Sequence, residues 1–86
     1  MSTITLLTRA GCHACECARA DLAALVAEAP AGGVVEIVEV DVDAAADTAP
    51  ELRAEYGDRL PVVLLDGDEH SYWDVDVPRL RRDLKW

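Results

Sequence analysis

The chain has 86 residues, of which 51% are hydrophobic, and its formal net charge is −9. This length predicts one small domain over residues 1–86. No apolar run approaches the ~20 residues of a membrane span, and the N-terminus lacks the basic region that begins a secretory signal. We therefore expect a cytoplasmic globular protein that does not contact membranes.

The acidic charge is concentrated in residues 34–76, which contain thirteen Asp and Glu residues against two arginines. Proteins that bind nucleic acid neutralise phosphates with basic side chains. The charge therefore argues against a nucleic-acid partner. Four of the eight basic residues fall in the last eight positions. This cluster is interpreted either as a contact for an anionic partner or as a solvated helix face that complements the C-terminal end of the helix dipole.

The first predicted element is a strand over residues 3–8, a segment rich in β-branched side chains. Gly11 supplies the backbone freedom for a sharp turn. Apolar residues at spacings of three and four then predict a helix from about His13 to Ala29. Its buried stripe is expected to contain Cys15, Ala18, Leu22, Leu25, Val26 and Ala29.

A second strand is predicted over Val34–Asp43, where valines alternate with acidic residues as in a strand with one buried face. The polar connection that follows predicts a short helix, with Asp47 or Thr48 as its cap and Pro50 in its first turn. Gly57 is expected to end that helix.

The wholly apolar run Val62–Leu65 predicts a buried third strand. Asp66 and Gly67 form a dipeptide typical of hairpins, and the chain is expected to return as a fourth strand over Glu69–Val75. Asp76 is predicted to cap a last helix.

The predicted order is therefore β-α-β-α-β-β-α. A short right-handed crossover makes the first two strands parallel neighbours, and the hairpin makes the last two antiparallel. With helices on both faces of this four-stranded mixed sheet, the sequence predicts a three-layer α/β/α domain.

All three cysteines lie within six residues, around the start of the first helix. An odd number of cysteines in a chain expected to be cytoplasmic favours a redox or metal role over a structural disulfide framework. Cys12 falls at the helix N-cap, where unpartnered N–H groups and the helix dipole favour a thiolate. Arg9 adds a positive charge nearby. We predict that Cys12 is the nucleophile.

Cys15 lies nearly one turn further along, on the buried stripe, which suits a resolving thiol. In that role it would displace the product from a mixed disulfide formed by Cys12. Cys17 falls on the polar side of the helix and is interpreted either as an exposed spare thiol or as an auxiliary redox residue. His13, beside the nucleophile, either stabilises the thiolate or points into solvent.

Pro61 is the second informative position, because it opens a strand that is otherwise apolar. The Leu60–Pro61 bond is interpreted either as the cis bond of a tight turn or as a trans bond at a strand start.

The Cys-x-x-Cys after a first strand, with a proline opening the third, resembles the thioredoxin superfold. The short chain that begins with a strand resembles glutaredoxin. The segments TRAGCHAC, VDVD and PELRAEYGDRLPVVLLDG, with the aromatic pair Tyr72 and Trp73, are similar to small bacterial glutaredoxin-like proteins. The resemblance spans essentially the whole chain and implies a thioredoxin/glutaredoxin fold.

The resemblance also implies roles for individual residues. It implies that Cys12 is the nucleophile, that Cys15 is the resolving thiol and that Pro61 is a cis-proline facing them. The backbone of Leu60 is then expected to pair with the substrate. Arg9 stands where glutaredoxins often carry a lysine that meets a carboxylate of glutathione.

The chain departs in three places from the families that it resembles. Cys-His-Ala-Cys replaces the common Cys-Pro-Tyr-Cys of glutaredoxins. The segment Tyr72–Asp76 replaces the glycine pair and acidic residues that hold glutathione. Leu6 stands where thioredoxins bury an acidic residue.

The leading hypothesis is a monomeric thiol–disulfide oxidoreductase that acts on protein disulfides or glutathione mixed disulfides. We expect no bound cofactor, with glutathione as a candidate co-substrate. One alternative is a zinc or iron–sulfur protein using Cys12, His13, Cys15 and Cys17, although zinc sites usually draw ligands from two separated pairs. The other alternative is a redox-silent interaction module.

Overall fold

A computed structural model describes residues 2–86, and its elements follow the predicted order β-α-β-α-β-β-α. The strands are β1 (Ser2–Thr8), β2 (Val35–Asp41), β3 (Val62–Leu65) and β4 (Asp68–Tyr72). The helices are α1 (His13–Ala27), α2 (Pro50–Tyr56) and α3 (Val77–Leu84). No helix in this part of the chain has the length and apolar character needed to cross a membrane.

The strands form one mixed sheet in the order β2-β1-β3-β4. β1 pairs in parallel with β2 and antiparallel with β3, and β3 pairs antiparallel with β4. β1 and β3 are therefore the central strands. Their apolar composition follows from this position, because a central strand covered by helices on both faces exposes neither side to water.

The β3–β4 hairpin forms at the predicted dipeptide. Asp66 and Gly67 have φ angles of 52° and 89°, the left-handed pair that a two-residue type I′ turn requires. The Asp66 carboxylate also accepts a hydrogen bond from the N–H of Thr3 at 2.8 Å. The hairpin is thereby tied to the start of β1.

Two apolar clusters cover the two faces of the sheet, which confirms the three-layer prediction. β1 alternates between them, with Ile4 and Leu6 in one cluster and Leu7 in the other. The first cluster packs the sheet against α1 and α3 through Ala18, Leu22, Leu25 and Leu80. The second contains Leu7, Val42, Val62 and Leu64, and α2 packs against it through Leu52 and Tyr56.

The predicted cap of α2 is wrong. Neither Asp47 nor Thr48 caps this helix: Ala49 occupies the N-cap position, and its side chain makes no capping bond. The Thr48 hydroxyl instead donates to the carbonyl of Ala45 at 3.3 Å. Its hydrogen-bonding capacity is used in the preceding turn, so it is not directed at the helix.

β2 and β4 both end earlier than predicted, each for a local reason. The Asp41 carboxylate accepts the N–H groups of Asp43 and Ala44, at 2.9 and 3.1 Å, and so starts a turn directly after β2. β4 ends at Tyr72 because Trp73 adopts a left-handed φ of 66°.

One buried polar contact links β4 to α3. The Nε2 atom of the buried His70 lies 2.8 Å from a carboxylate oxygen of Asp83. The hydrogen bond from His70 holds the pKa of Asp83 below its usual value. Arg79 adds a second link by donating to the carbonyl of His70.

Replacing Leu22 with alanine should destabilise the protein by about 2–5 kcal/mol, because its side chain is buried in the first cluster. The matched control is Asp21→Ala, at an exposed position of the same helix turn. It should change the free energy of unfolding by less than about 0.5 kcal/mol. Chemical denaturation followed by circular dichroism measures both values. Equal losses from the two variants would contradict this assignment of the core.

The carboxylate of Asp83 should stabilise the fold only while it is ionised. Because its pKa is lower in the folded protein than in the unfolded chain, its contribution is fully present above the unfolded value of about 4 and is lost as pH falls through the folded value. In thermal denaturation, Asp83→Asn should therefore have a lower Tm than the unmodified protein above about pH 4. This gap should close in stronger acid. A gap that grows as the pH falls would contradict the assignment.

Candidate functional site

The loop that carries the cysteines leaves the sheet at the end of β1. Gly11 has a φ of 78°, a value that glycine adopts without steric cost. The N–H of Cys12 donates to the carbonyl of Arg9 at 3.2 Å, which closes the turn. The turn after the central strand β1 thus places Cys12 directly before the first residue of α1.

Cys12 occupies the N-cap of α1 with an extended backbone. The N–H of Cys15 donates a hydrogen bond to Cys12 Sγ at 3.1 Å. A sulfur in this position faces the positive end of the helix dipole and accepts one of the first-turn N–H groups, and both interactions favour a thiolate. Cys12 is half-buried, so one side of it faces solvent.

Cys15 has the opposite setting. Only 1% of its surface is exposed, and it packs on the side of α1 that faces the sheet. Its Cα lies 5.2 Å from that of Cys12, and the two residues form a disulfide. A large reactant in solution can therefore approach Cys12, whereas Cys15 is covered.

Cys17 and His13 lie together on the solvent side of α1. Cys17 is an exposed free thiol, and its Sγ lies 3.9 Å from Nε2 of His13. The His13 side chain is 88% exposed, and its Nδ1 lies 3.6 Å from the carboxylate of Glu16. The side chain of His13 is thus directed towards Glu16 and Cys17, on the outer surface of the helix.

Arg9 forms an ion pair with Asp43. Its Nε donates to the Asp43 carboxylate at 2.7 Å, and a second guanidinium nitrogen donates to the carbonyl of Gly57 at 3.4 Å. The hydrogen bond from Arg9 lowers the pKa of Asp43. These bonds tie the cysteine loop to the segment after β2 and to the end of α2.

Pro61 lies at the same end of the two central strands as the cysteine loop. Val62 of β3 pairs with Leu7 of β1. Pro61, the residue before Val62, therefore lies beside the end of β1. Pro61 is buried, and the Leu60–Pro61 peptide bond is cis. Its carbonyl accepts the N–H of Trp73 at 2.7 Å.

An open groove of about 730 Å³ runs along β4 and the start of α3. Tyr72 and Asp74 line its end, whereas neither Cys12 nor Cys15 contributes to it. The groove therefore adjoins the aromatic pair, and the sulfur atoms lie outside it. Its lining comprises Glu69, His70, Ser71, Tyr72, Asp74, Val75, Asp76, Pro78 and Arg79.

The predicted site residues fall into two groups. Cys12 and Cys15 are joined by a disulfide. Pro61, preceded by Leu60, lies at the same end of the two central strands. Arg9 and His13 instead have described side-chain contacts with acidic residues. Within residues 2–86, no three His, Cys, Asp or Glu side chains are grouped so that they could hold a metal ion.

Sequence reasoning missed the contact between Trp73 and the loop before β3. The N–H of Trp73 bonds the carbonyls of both Pro61 and Arg59, at 2.7 and 3.2 Å. No sequence pattern predicts a left-handed tryptophan, since bulky residues rarely adopt that conformation. The sequence contains a weak indication of the partner of Arg9, because the run Val40-Asp41-Val42-Asp43 places carboxylates at the end of the neighbouring strand.

Comparison with known proteins gives a family match over nearly the whole chain. A family model described as a glutaredoxin-like domain (DUF836) matches residues 3–85. The uncharacterized proteins Rv0508 of Mycobacterium tuberculosis and Mb0520 of Mycobacterium bovis are each 55% identical to this chain over 82 residues. Those alignments cover 94% of this chain and 80% of each relative.

Two solved thioredoxins share the fold. Mitochondrial thioredoxin 3 of Saccharomyces cerevisiae, in its oxidized form, and the thioredoxin of Fasciola hepatica each superimpose with a TM-score of 0.63 at 22% identity. The superpositions cover 98% of this chain and 76% and 78% of the two thioredoxins. A Cys12–Cys15 disulfide within this fold supports a thiol redox role. The chain therefore has the thioredoxin fold and belongs to the glutaredoxin-like domain family, with bacterial relatives in mycobacteria.

Proposed function

We propose that this protein is a thiol–disulfide oxidoreductase that works through the Cys12–Cys15 dithiol. The observation that carries the proposal is the difference between the two sulfur atoms. Cys12 Sγ accepts an N–H at the start of α1 from a half-buried position, whereas Cys15 is buried against the sheet within disulfide reach. One sulfur is suited to attack and the other to intramolecular release.

The proposed reaction has two exchange steps. The Cys12 thiolate attacks one sulfur of a target disulfide, and the other sulfur leaves as a thiolate that takes up a proton. Cys15 then loses its proton and attacks Cys12 Sγ, which releases the second target thiol. Two electrons pass to the target, and the Cys12–Cys15 disulfide is the oxidised product. The same steps in reverse form a disulfide in the target.

The helix N-terminus is the main electrostatic support that we assign to the Cys12 thiolate. Arg9 is engaged by Asp43 at 2.7 Å, so most of its charge is already compensated. His13 points to the outer side of α1, towards Glu16. We assign Arg9 and His13 to the rim of the substrate site, where both side chains are partly open to solvent.

Leu60 is the residue whose backbone we assign to the substrate. Its neighbour Pro61 already uses its carbonyl to bind Trp73. Among the backbone bonds of residues 2–86, none involves the N–H or carbonyl of Leu60 outside the regular elements. An extended substrate segment that pairs with a free backbone edge would use these two groups.

The substrates that we propose are disulfide-bearing proteins or glutathione mixed disulfides in the cytoplasm, with glutathione as a co-substrate and the protein acting as a monomer. Cysteine thiols are kept reduced in that compartment, so a dithiol protein there would act mainly as a reductant.

Replacing Cys15 with serine should stop the second step and trap the first. The reduced Cys15→Ser protein, mixed with glutathione disulfide or a peptide disulfide, should accumulate a mixed disulfide at Cys12, because no resolving thiol remains. Mass spectrometry of tryptic peptides identifies the modified residue.

Two variants control this experiment. Cys12→Ser should lose both the adduct at position 12 and the turnover, whereas Cys17→Ser should retain turnover because Cys17 lies on the outer side of α1. Absence of an adduct at Cys12 in the Cys15→Ser protein, or full turnover by Cys12→Ser, would contradict the proposed function.

A further inference from the structure

An exposed aromatic pair lies beside the site and takes no part in the dithiol chemistry. The side chains of Tyr72 and Trp73 are 50% and 63% exposed, the two largest aromatic surfaces on the described chain that face solvent. Their rings meet edge to face, with centroids 5.1 Å apart. Such a pair presents one continuous apolar surface, which costs free energy in water unless it is covered.

The backbone holds this pair in place although the rings are not buried. Trp73 has a left-handed φ of 66°, an uncommon conformation for a bulky residue. Its N–H donates to the carbonyls of Pro61 and Arg59, at 2.7 and 3.2 Å. The backbone at Trp73 is therefore held by the loop before β3, and this loop also contains Leu60.

The backbone of Trp73 lies beside the proposed substrate site, because its N–H donates to the carbonyl of Pro61. By the pairing of β1 with β3, Pro61 lies beside the end of β1, where the cysteine loop begins. A polypeptide that pairs with Leu60 while its disulfide reaches Cys12 would extend along this end of the sheet. Its side chains on one side of the cystine would then meet Trp73.

The surroundings of the pair are acidic. Glu69, Asp74 and Asp76 line the adjoining groove, and the chain's net charge is −9. Of these, Glu69 is paired with Arg59 at 3.1 Å. The one cation lining the groove, Arg79, lies 4.0 Å from Asp76 and 3.9 Å from Asp83. Asp74 is exposed and its carboxylate accepts only the N–H of Val75, at 2.8 Å, among the described bonds.

From this combination we propose that Tyr72, Trp73 and Asp74 form a docking surface for a disulfide-bearing polypeptide whose cystine is flanked by lysine or arginine. The inference rests on the proposed function and names the substrate class for the same site. A cationic side chain gains from both the aromatic face and the carboxylate. Of the substrates proposed above, the surface therefore favours such polypeptides over glutathione disulfide, because glutathione is anionic; glutathione as a co-substrate would react without this surface.

The test compares two peptides of equal length, each closed by one internal disulfide and differing only in lysine or glutamate beside the cysteines. Pre-reduced protein donates two electrons to the peptide and becomes the Cys12–Cys15 disulfide, and the peptide dithiol is measured by chromatography in single turnover. At low ionic strength the lysine peptide should react at least about tenfold faster. Added salt should reduce this ratio, because the contacts are exposed to solvent.

Trp73→Asn removes the aromatic face, and asparagine tolerates the left-handed backbone. It should slow the lysine peptide by about fivefold, within the range of a cation–π contact. Asp74→Asn, which retains the oxygen that accepts from Val75, should slow it by roughly twofold. The matched control is Glu36→Gln, an exposed carboxylate on β2 at the opposite edge of the sheet. It should leave the rate unchanged.

Bis(2-hydroxyethyl) disulfide, which is small and uncharged, separates docking from chemistry. All three variants should reduce it at the unmodified rate. If it is reduced but the lysine and glutamate peptides react equally, or glutathione disulfide reacts fastest, the docking surface is refuted and the oxidoreductase stands. A dimer in sedimentation that is lost in Trp73→Asn would also refute it, since a second copy would then cover the rings. If no disulfide is reduced, both proposals fail.

Discussion

The bond from the N–H of Cys15 to Cys12 Sγ is the interaction on which the rest of this site depends. It requires that α1 begins at the residue after Cys12, that the preceding loop turns sharply at Gly11, and that the helix is held against the sheet. Leu22 and Leu25 provide the last condition by packing in the first cluster. The reactive sulfur is thus positioned by a helix whose stability comes from apolar residues far from it.

The other parts of the proposed site lie at the same end of the two central strands. Because β1 and β3 are antiparallel neighbours, the end of one strand meets the start of the other, and this places Pro61 beside the cysteine loop. Trp73, directly after β4, donates its N–H to the carbonyl of Pro61. The three chain segments are separated in sequence but fixed to one another by the sheet register, so a ligand at this end of the sheet would meet a prearranged surface.

Local patterns in the sequence predict most of the fold but only part of the site. The apolar run Val62–Leu65 and the phase of Cys15 on its helix depend on neighbours within a few residues, and both could be predicted. The ion pair of Arg9 with Asp43 and the backbone bonds of Trp73 join residues that are distant in the chain. Those contacts depend on strand register and on one unusual φ angle, neither of which is encoded in a local pattern.

We propose that Cys12 and Cys15 form a reversible two-electron redox couple. Equilibrating the protein against glutathione buffers of graded potential, and quantifying free thiols after acid quenching, tests it most directly. We expect a single reversible two-electron transition that persists in Cys17→Ser and is absent in Cys12→Ser and Cys15→Ser. A protein that shows no transition across the series, or whose transition survives the loss of Cys12, would contradict it.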